Sequence, residues 1–186
     1  MAENKRQDLP NIAEKQYIEN VINIDRVARV VRGGRRFRFR ALVVVGDGKN
    51  KVGVGVSKAA DVQGAVTKAI AVAKKDMRTV SLYRSTIPHG IEAKHSGAHI
   101  LLKPAGQGTG IIAGGVVRAV IEVTGIHDVL SKSLGSSNKV NTAYATVKAL
   151  TELASADQWV TRQNSEKTAE KKAESKVKAA TAKEKA

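Results

Sequence analysis

"VVRGGRRFRFRALVVVGDGKNKVGVGVSKA", residues 30–59, carries the reading on which the fold turns. Arg36, Arg38 and Arg40 alternate with Phe37 and Phe39, and Ala41, Val43 and Val45 continue the phenylalanine row. A period of two is that of a β-strand, whose successive side chains point to opposite faces. The row that ends in valines is a core row, so Phe37 and Phe39 are expected to face the interior and the three arginines to face out. Turning the strand over would bury unpaired guanidinium groups at several kcal/mol each, more than base stacking returns at about 1–3 kcal/mol per base. Aromatic residues make up only 3% of the chain, so any nucleic-acid recognition is expected to rest on phosphates, 2′-hydroxyls and shape.

The flanking sequence supplies partners for this strand. Residues 21–31 are rich in β-branched side chains and read as a strand, with Gly33 and Gly34 turning the chain into 35–45. Gly46-Asp47-Gly48-Lys49-Asn50 has hairpin-loop chemistry, and 51–56 returns with Val52, Val54 and Val56 on one face and Gly53 and Gly55 on the other. Asp61 is placed to cap a helix running to about residue 78, with Val62, Val66, Ala69, Ile70, Ala73 and Met77 as its apolar stripe. These elements make a first domain at about 17–80. A second, at about 81–158, reads as strands at 82–87 and 98–102, an apolar helix at 111–123, a strand at 126–134, and a helix capped by Asn138 or Ser137 and ending near 154. The fold class is α+β, two small α/β domains: a three-stranded sheet plus helix, then a β-sheet with two helices. Residues 1–16 read as a flexible N-terminal segment and 159–186 as a Lys/Glu/Ala-rich disordered tail.

Charge points to the partner. The 186 residues hold 32 Lys+Arg against 17 Asp+Glu, a net charge of +15, and no cysteine, which excludes disulfides and thiolate metal sites. No apolar run is long enough to span a bilayer, and the N-terminus lacks the apolar core of a signal peptide, so a cytoplasmic protein is expected. Residues 21–58 concentrate the excess: Arg26, Arg29, Arg32, Arg35, Arg36, Arg38, Arg40, Lys49, Lys51 and Lys58 face only Asp25 and Asp47. Cations crowded on a small sheet repel one another unless a polyanion neutralises them, and a phosphate backbone does so.

Two stretches, "RVARVVRGGRRFRFRALVVVGDGKNKVGVGVSKA" at 26–59 and "KPAGQGTGIIAGGVVRAVIEVTGIHDVLSKSLGSSN" at 103–138, resemble the family of the fifth protein of the bacterial small ribosomal subunit. The similarity runs in order over roughly residues 17–158. It implies a first domain like the double-stranded-RNA-binding domain, and a second with a left-handed βαβ crossover formed by 98–102, 111–123 and 126–134. It also implies a ribosomal component that binds 16S ribosomal RNA, contacts subunit proteins four and eight, steadies head against body and influences accuracy near the mRNA entry. The basic loop matching 26–35, with Gly33 and Gly34 at its turn, corresponds to the family's RNA-penetrating loop near the spectinomycin site. Gly108, Gly110 and Arg118 would face subunit protein four. A stand-alone double-stranded-RNA binder or RNA chaperone is the alternative.

Other chemistries fare poorly. "GQGTGIIAGG" at 106–115 lacks the Gly-Lys-Ser/Thr of a P-loop. Gly108-x-Gly110-x-x-Ala113 fits a relaxed dinucleotide pattern with Asp128 20 residues on, but that acid opens a strand where a nucleotide-binding unit needs it to end one. The alternative for Arg118 is a solvated residue pairing with Glu122. His95 and His99, with Glu92 nearby, are the only metal-like constellation, and no third ligand has recognisable spacing. No nucleophile motif frames the Ser, His and Asp residues, so neither an enzyme, a cofactor nor a small-molecule substrate is expected.

Overall fold

The computed structural model describes residues 17–155. The expectations for 1–16 and for the tail at 159–186 therefore lie outside the described residues. In chain order the elements are β1 (Ile18–Val31), β2 (Gly34–Gly46), β3 (Lys51–Ala59), α1 (Val62–Lys75), β4 (Arg78–Thr79), β5 (Ile91–His95), β6 (Ala98–Pro104), β7 (Ile111–Ile112), α2 (Gly115–Thr124), β8 (Val129–Gly135) and α3 (Lys139–Thr151). One sheet has the order β1-β2-β3-β4 and the other β5-β6-β8-β7, with β1 at the open edge of the first.

The first sheet is buried on both sides, which explains why residues 41–45 are five apolar residues in succession rather than an alternation. Ala41, Val43 and Val45 pack with Ala65, Ala69 and Ala73 of α1. Leu42, Val44, Val52 and Val54 belong instead to the core that holds Val117, Val120 and Ile121 of α2, Ala143 and Leu150 of α3, and Ile100 and Leu102 of β6. The arginine row of β2 therefore runs into a second core at Leu42. The order of layers is α1, first sheet, the α2–α3 pair, second sheet, and the two units share their interior.

Glycine sets the distance between α1 and the sheet. A Cβ on Gly53 would collide with the backbone carbonyl of Ala73, and one on Gly55 with that of Ala69. The alanine ridge of the helix lies directly on β3 because the sequence alternates valine and glycine there. Asp61 occupies the N-cap position, but only its carbonyl is used, accepting from the Ala65 N–H at 3.0 Å. Asn138 caps α3 with its side chain, accepting from the Val140 N–H at 3.1 Å. In the β2–β3 loop, Asp47 Oδ1 accepts from the N–H groups of Lys49, Asn50 and Lys51 at 2.9, 3.0 and 2.8 Å. Partial burial opposes ionisation of Asp47, yet these backbone donors outweigh it and hold the carboxyl below the ordinary aspartate range.

The second unit departs from expectation in three places. Residues 82–87 are a tight turn closed by the Tyr83–Thr86 bridge, with Arg84 at a φ of 55°. Ser85 there uses its carbonyl to accept from the N–H groups of His127 and Asp128, so the backbone is satisfied without a ladder. The unforeseen strand is β5, where Ile91, Ala93 and His95 alternate with exposed Glu92 and Lys94 over only five residues and Ala93 alone is fully buried. The βαβ connection is also assigned differently: 98–104 is antiparallel to β8, and the parallel partner of β8 is β7, pairing Ile111 with Val129 and Ile112 with Leu130. The helix expected at 111–123 begins only at Gly115, because the two isoleucines before it are spent on that strand.

Candidate nucleic-acid interface

Pairing between β2 and β3 stops at Phe39–Ala59, whereas β1 and β2 stay paired to Val31–Gly34. The remainder of the β1–β2 hairpin is a two-stranded arm extending about 17 Å past the sheet, from five residue pairs at ~3.4 Å each. It closes through Arg32 and Gly33, with Gly34 at a φ of 129°, a conformation that glycine adopts without strain.

Register sorts the arm's side chains onto two faces. On one, Arg29 lies directly opposite Arg36, Val27 opposite Arg38, and Asp25 opposite Arg40, which is flanked on its other side by Lys58. Arg29, Arg36, Arg38 and Lys58 line a cleft of about 590 Å³ on this face. Among the described residues, none of these four has a carboxylate within 4.0 Å. Like charges set directly across strands destabilise a hairpin in isolation, so this face is built for an anionic occupant.

Arg40 differs from its row-mates. Its Nη2 donates to Asp25 Oδ2 at 2.7 Å, and Asn23 Nδ2 donates to the other carboxyl oxygen at 2.6 Å. The Arg40 hydrogen bond, then the Asn23 one, hold the Asp25 carboxyl below the ordinary aspartate value of 3.8. A carboxyl so depressed stabilises the fold above its unfolded pKa, and the contribution drains away as pH falls through the folded value. Both side chains are more than one-third exposed, so the effect is small, about 1 kcal/mol or less. Wild type is expected to exceed Asp25→Asn by that margin in urea denaturation at pH 7. The gap should close in strong acid; a gap that persists at pH 2 would mean that charge is not its source.

The other face carries the phenylalanines, and here the expectation is half right. Phe39 packs against the α1-side core. Phe37 is 48% exposed, because α1 begins after β3 has ended and covers the sheet no farther than Phe39. The Arg26 guanidinium lies 3.8 Å from the Phe37 ring centroid. This cation–π pair was not foreseen: only the register, which sets Arg26 across from Phe39 and diagonal to Phe37, brings the two together.

The remaining candidates are scattered. Arg35 and Arg32 are exposed at the arm's tip, and Lys58 sits at its base. Lys49 and Lys51 lie at the far end of the same sheet, where the Gly48 N–H donates to the Val123 carbonyl of α2 at 3.1 Å. Gly108 and Gly110 lie in a loop of the second unit with φ of 88° and 75°. Their N–H groups both donate to Asp128 Oδ1, at 3.0 and 2.9 Å. The Gly110 bond, with help from the Ser85 hydroxyl, holds the Asp128 carboxyl below its ordinary range against the effect of burial. The spacing that mimics a dinucleotide pattern is thus an internal tie, and the amides that would cradle phosphate are already spent. Arg118 Nη2 donates to the Ile111 carbonyl at 2.9 Å, and no Arg118–Glu122 ion pair occurs among the described residues. His99 Nε2 meets Glu92 Oε2 at 3.1 Å while the His95 ring lies tilted against Tyr144, and the described residues contain no cluster of three or more His, Asp or Glu side chains able to hold a metal ion. None of the described helices is long and apolar enough to cross a membrane.

Comparison with known proteins speaks to both units. Residues 17–81 match the family model "Ribosomal protein S5, N-terminal domain", and 93–163 match "Ribosomal protein S5, C-terminal domain". The chain is also 51% identical over 143 residues to the small ribosomal subunit protein uS5 of Idiomarina loihiensis, an alignment covering 77% of this chain and 86% of that protein. The two family models match in order along the chain, and at that extent and identity the chain belongs to the ribosomal protein S5 family of structural, non-enzymatic components of the small ribosomal subunit.

Proposed function

We propose that the chain binds 16S ribosomal RNA through the arm and the cleft at its base, as a structural constituent of the cytoplasmic small subunit. Arg29, Arg36, Arg38 and Lys58 contact phosphates from the cleft side, with Arg32 and Arg35 reaching RNA at the tip and Arg26 from the opposite face near the arm's base. Gly33 and Gly34 let the tip turn without side chains, and Arg40 serves first to lock the arm's base through Asp25. Lys49 and Lys51 form a separate phosphate contact at the far end of the sheet. Gly108, Gly110 and Arg118 present the second unit's glycine loop to subunit protein four, while protein eight contacts the same unit. Two RNA contacts at opposite ends of one doubly buried sheet suit a part that steadies head against body, and through that geometry influences accuracy near the mRNA entry.

The observation that carries the proposal is that Arg29, Arg36, Arg38 and Lys58 stand together on one face, none of them with a carboxylate of the described residues within 4.0 Å. Sedimentation of cell lysate tests it: the chain is expected to comigrate with the small subunit at one copy each, and to be released by high salt. Mainly free protein would favour a stand-alone double-stranded-RNA binder or RNA chaperone.

A further inference from the structure

The exposed ring of Phe37 is not explained by folding. It continues the row of Phe39, Ala41, Val43 and Val45, yet it stands beyond the reach of α1 with nearly half its surface in water. Arg26 covers part of it, but an exposed cation–π contact contributes little, and an aliphatic β-branched side chain would serve the strand equally well. A flat ring backed by a flat guanidinium, both open to solvent, is a surface for another flat group.

The surrounding charge selects that group. Residues 26–38 hold six arginines and no acid. An apolar protein surface closing over Phe37 would have to strip water from these guanidinium groups without repaying them. A nucleic acid offers phosphates to the arginines and a π face to the ring. Within a helix each base is already stacked on both sides, so a free face belongs to a bulged, looped or terminal base. We infer that Arg26 and Phe37 form a stacking platform for an unpaired RNA base, on the opposite side of the arm from the Arg29–Arg36–Arg38 row. This rests on the RNA-binding reading above and adds selectivity for unpaired bases to it. Phosphate contacts alone would hold paired and unpaired RNA alike.

Because stacking tolerates any base, two generic probes suffice: an RNA hairpin with one bulged adenosine, and the same hairpin fully paired. Wild-type chain is expected to prefer the bulged RNA about tenfold. Phe37→Leu should abolish that preference while leaving the melting temperature, the affinity for the paired hairpin and the salt slope unchanged. Arg29→Ala should weaken both RNAs and lower the slope. As a check that does not depend on Phe37→Leu folding, Phe37→Trp in a Trp159→Phe background should lose fluorescence with the bulged hairpin and not with the paired one. Equal binding of both hairpins by wild type, or a preference that survives in Phe37→Leu, overturns the platform and leaves the phosphate clamp standing. A wild-type chain that binds neither RNA overturns the RNA-binding reading and the platform with it.

Discussion

Alanine at Gly55 is expected to destabilise the protein by about 3 kcal/mol or more, lowering its melting temperature by about 10 °C. The added methyl would meet the Ala69 carbonyl oxygen, the Ala73 nitrogen at 2.7 Å and the Ala69 carbonyl carbon at 3.0 Å, all of them backbone atoms that no rotamer change can move aside. Either α1 lifts from β3, losing the close packing of Ala65, Ala69 and Ala73, or the strand bends. Gly64, within α1, is the natural control. A methyl there has only Ala59 Cβ nearby, at 3.6 Å, so Gly64→Ala should stabilise by about 0.5–1 kcal/mol through reduced freedom of the unfolded chain. Urea denaturation of the two variants decides the matter, and equal midpoints would show that the helix does not rest on the strand as described.

Replacing Arg29, Arg36 and Arg38 together by alanine should move binding and stability in opposite directions. Each phosphate contact contributes about 0.9 to the slope of log K against log salt, which makes it worth roughly a factor of eight at ~0.1 M salt. Losing three should weaken binding to structured RNA on the order of several hundredfold and reduce the slope by nearly three. The melting temperature of the free protein should hold or rise, since the Arg29–Arg36 repulsion across the strands is gone. Salt titration of RNA affinity beside a thermal melt reads both quantities. A triple variant that unfolds early would mean that the row holds the arm together, and an unchanged slope would remove the row from the RNA contact.

Local pattern carried the three strands expected in the first sheet and the loops between them, but not β4, which takes Arg78 and Thr79 after α1 stops at Lys75 rather than at about residue 78. The Arg/Phe alternation of 36–40, the Val–Gly alternation of 52–56 and the hairpin loop at 46–50 each state a local rule that the register of the first three strands obeys. Quantities set by tertiary extent were not legible. How far α1 reaches decides that Phe39 is core and Phe37 is not, although both occupy the same strand row. That the Arg40 row turns into a second core at Leu42 depends on α2 and α3, which lie far along the chain. The Asp25–Arg40 lock needs the β1–β2 register, and the separation of Lys49 and Lys51 from the arm needs the length of β2. Asp128 is the instructive case: its distance from Gly108 was visible, but the carboxylate serves the loop's own amides rather than a ribose.

The outer edge of β1 runs for 14 residues with no strand of the described residues beside it, and Ile18, Val21 and Ile24 add exposed apolar surface near its start. Such an edge invites a second copy to add on and grow into a polymer. Along the arm the invitation is refused. Antiparallel joining centred on Arg29 would set each copy's Arg26 against the other's Arg32, and in-register parallel stacking would set every arginine against itself. A newly made chain is thereby hindered from joining a second copy along this described edge, by the same guanidinium groups that are proposed above to bind RNA.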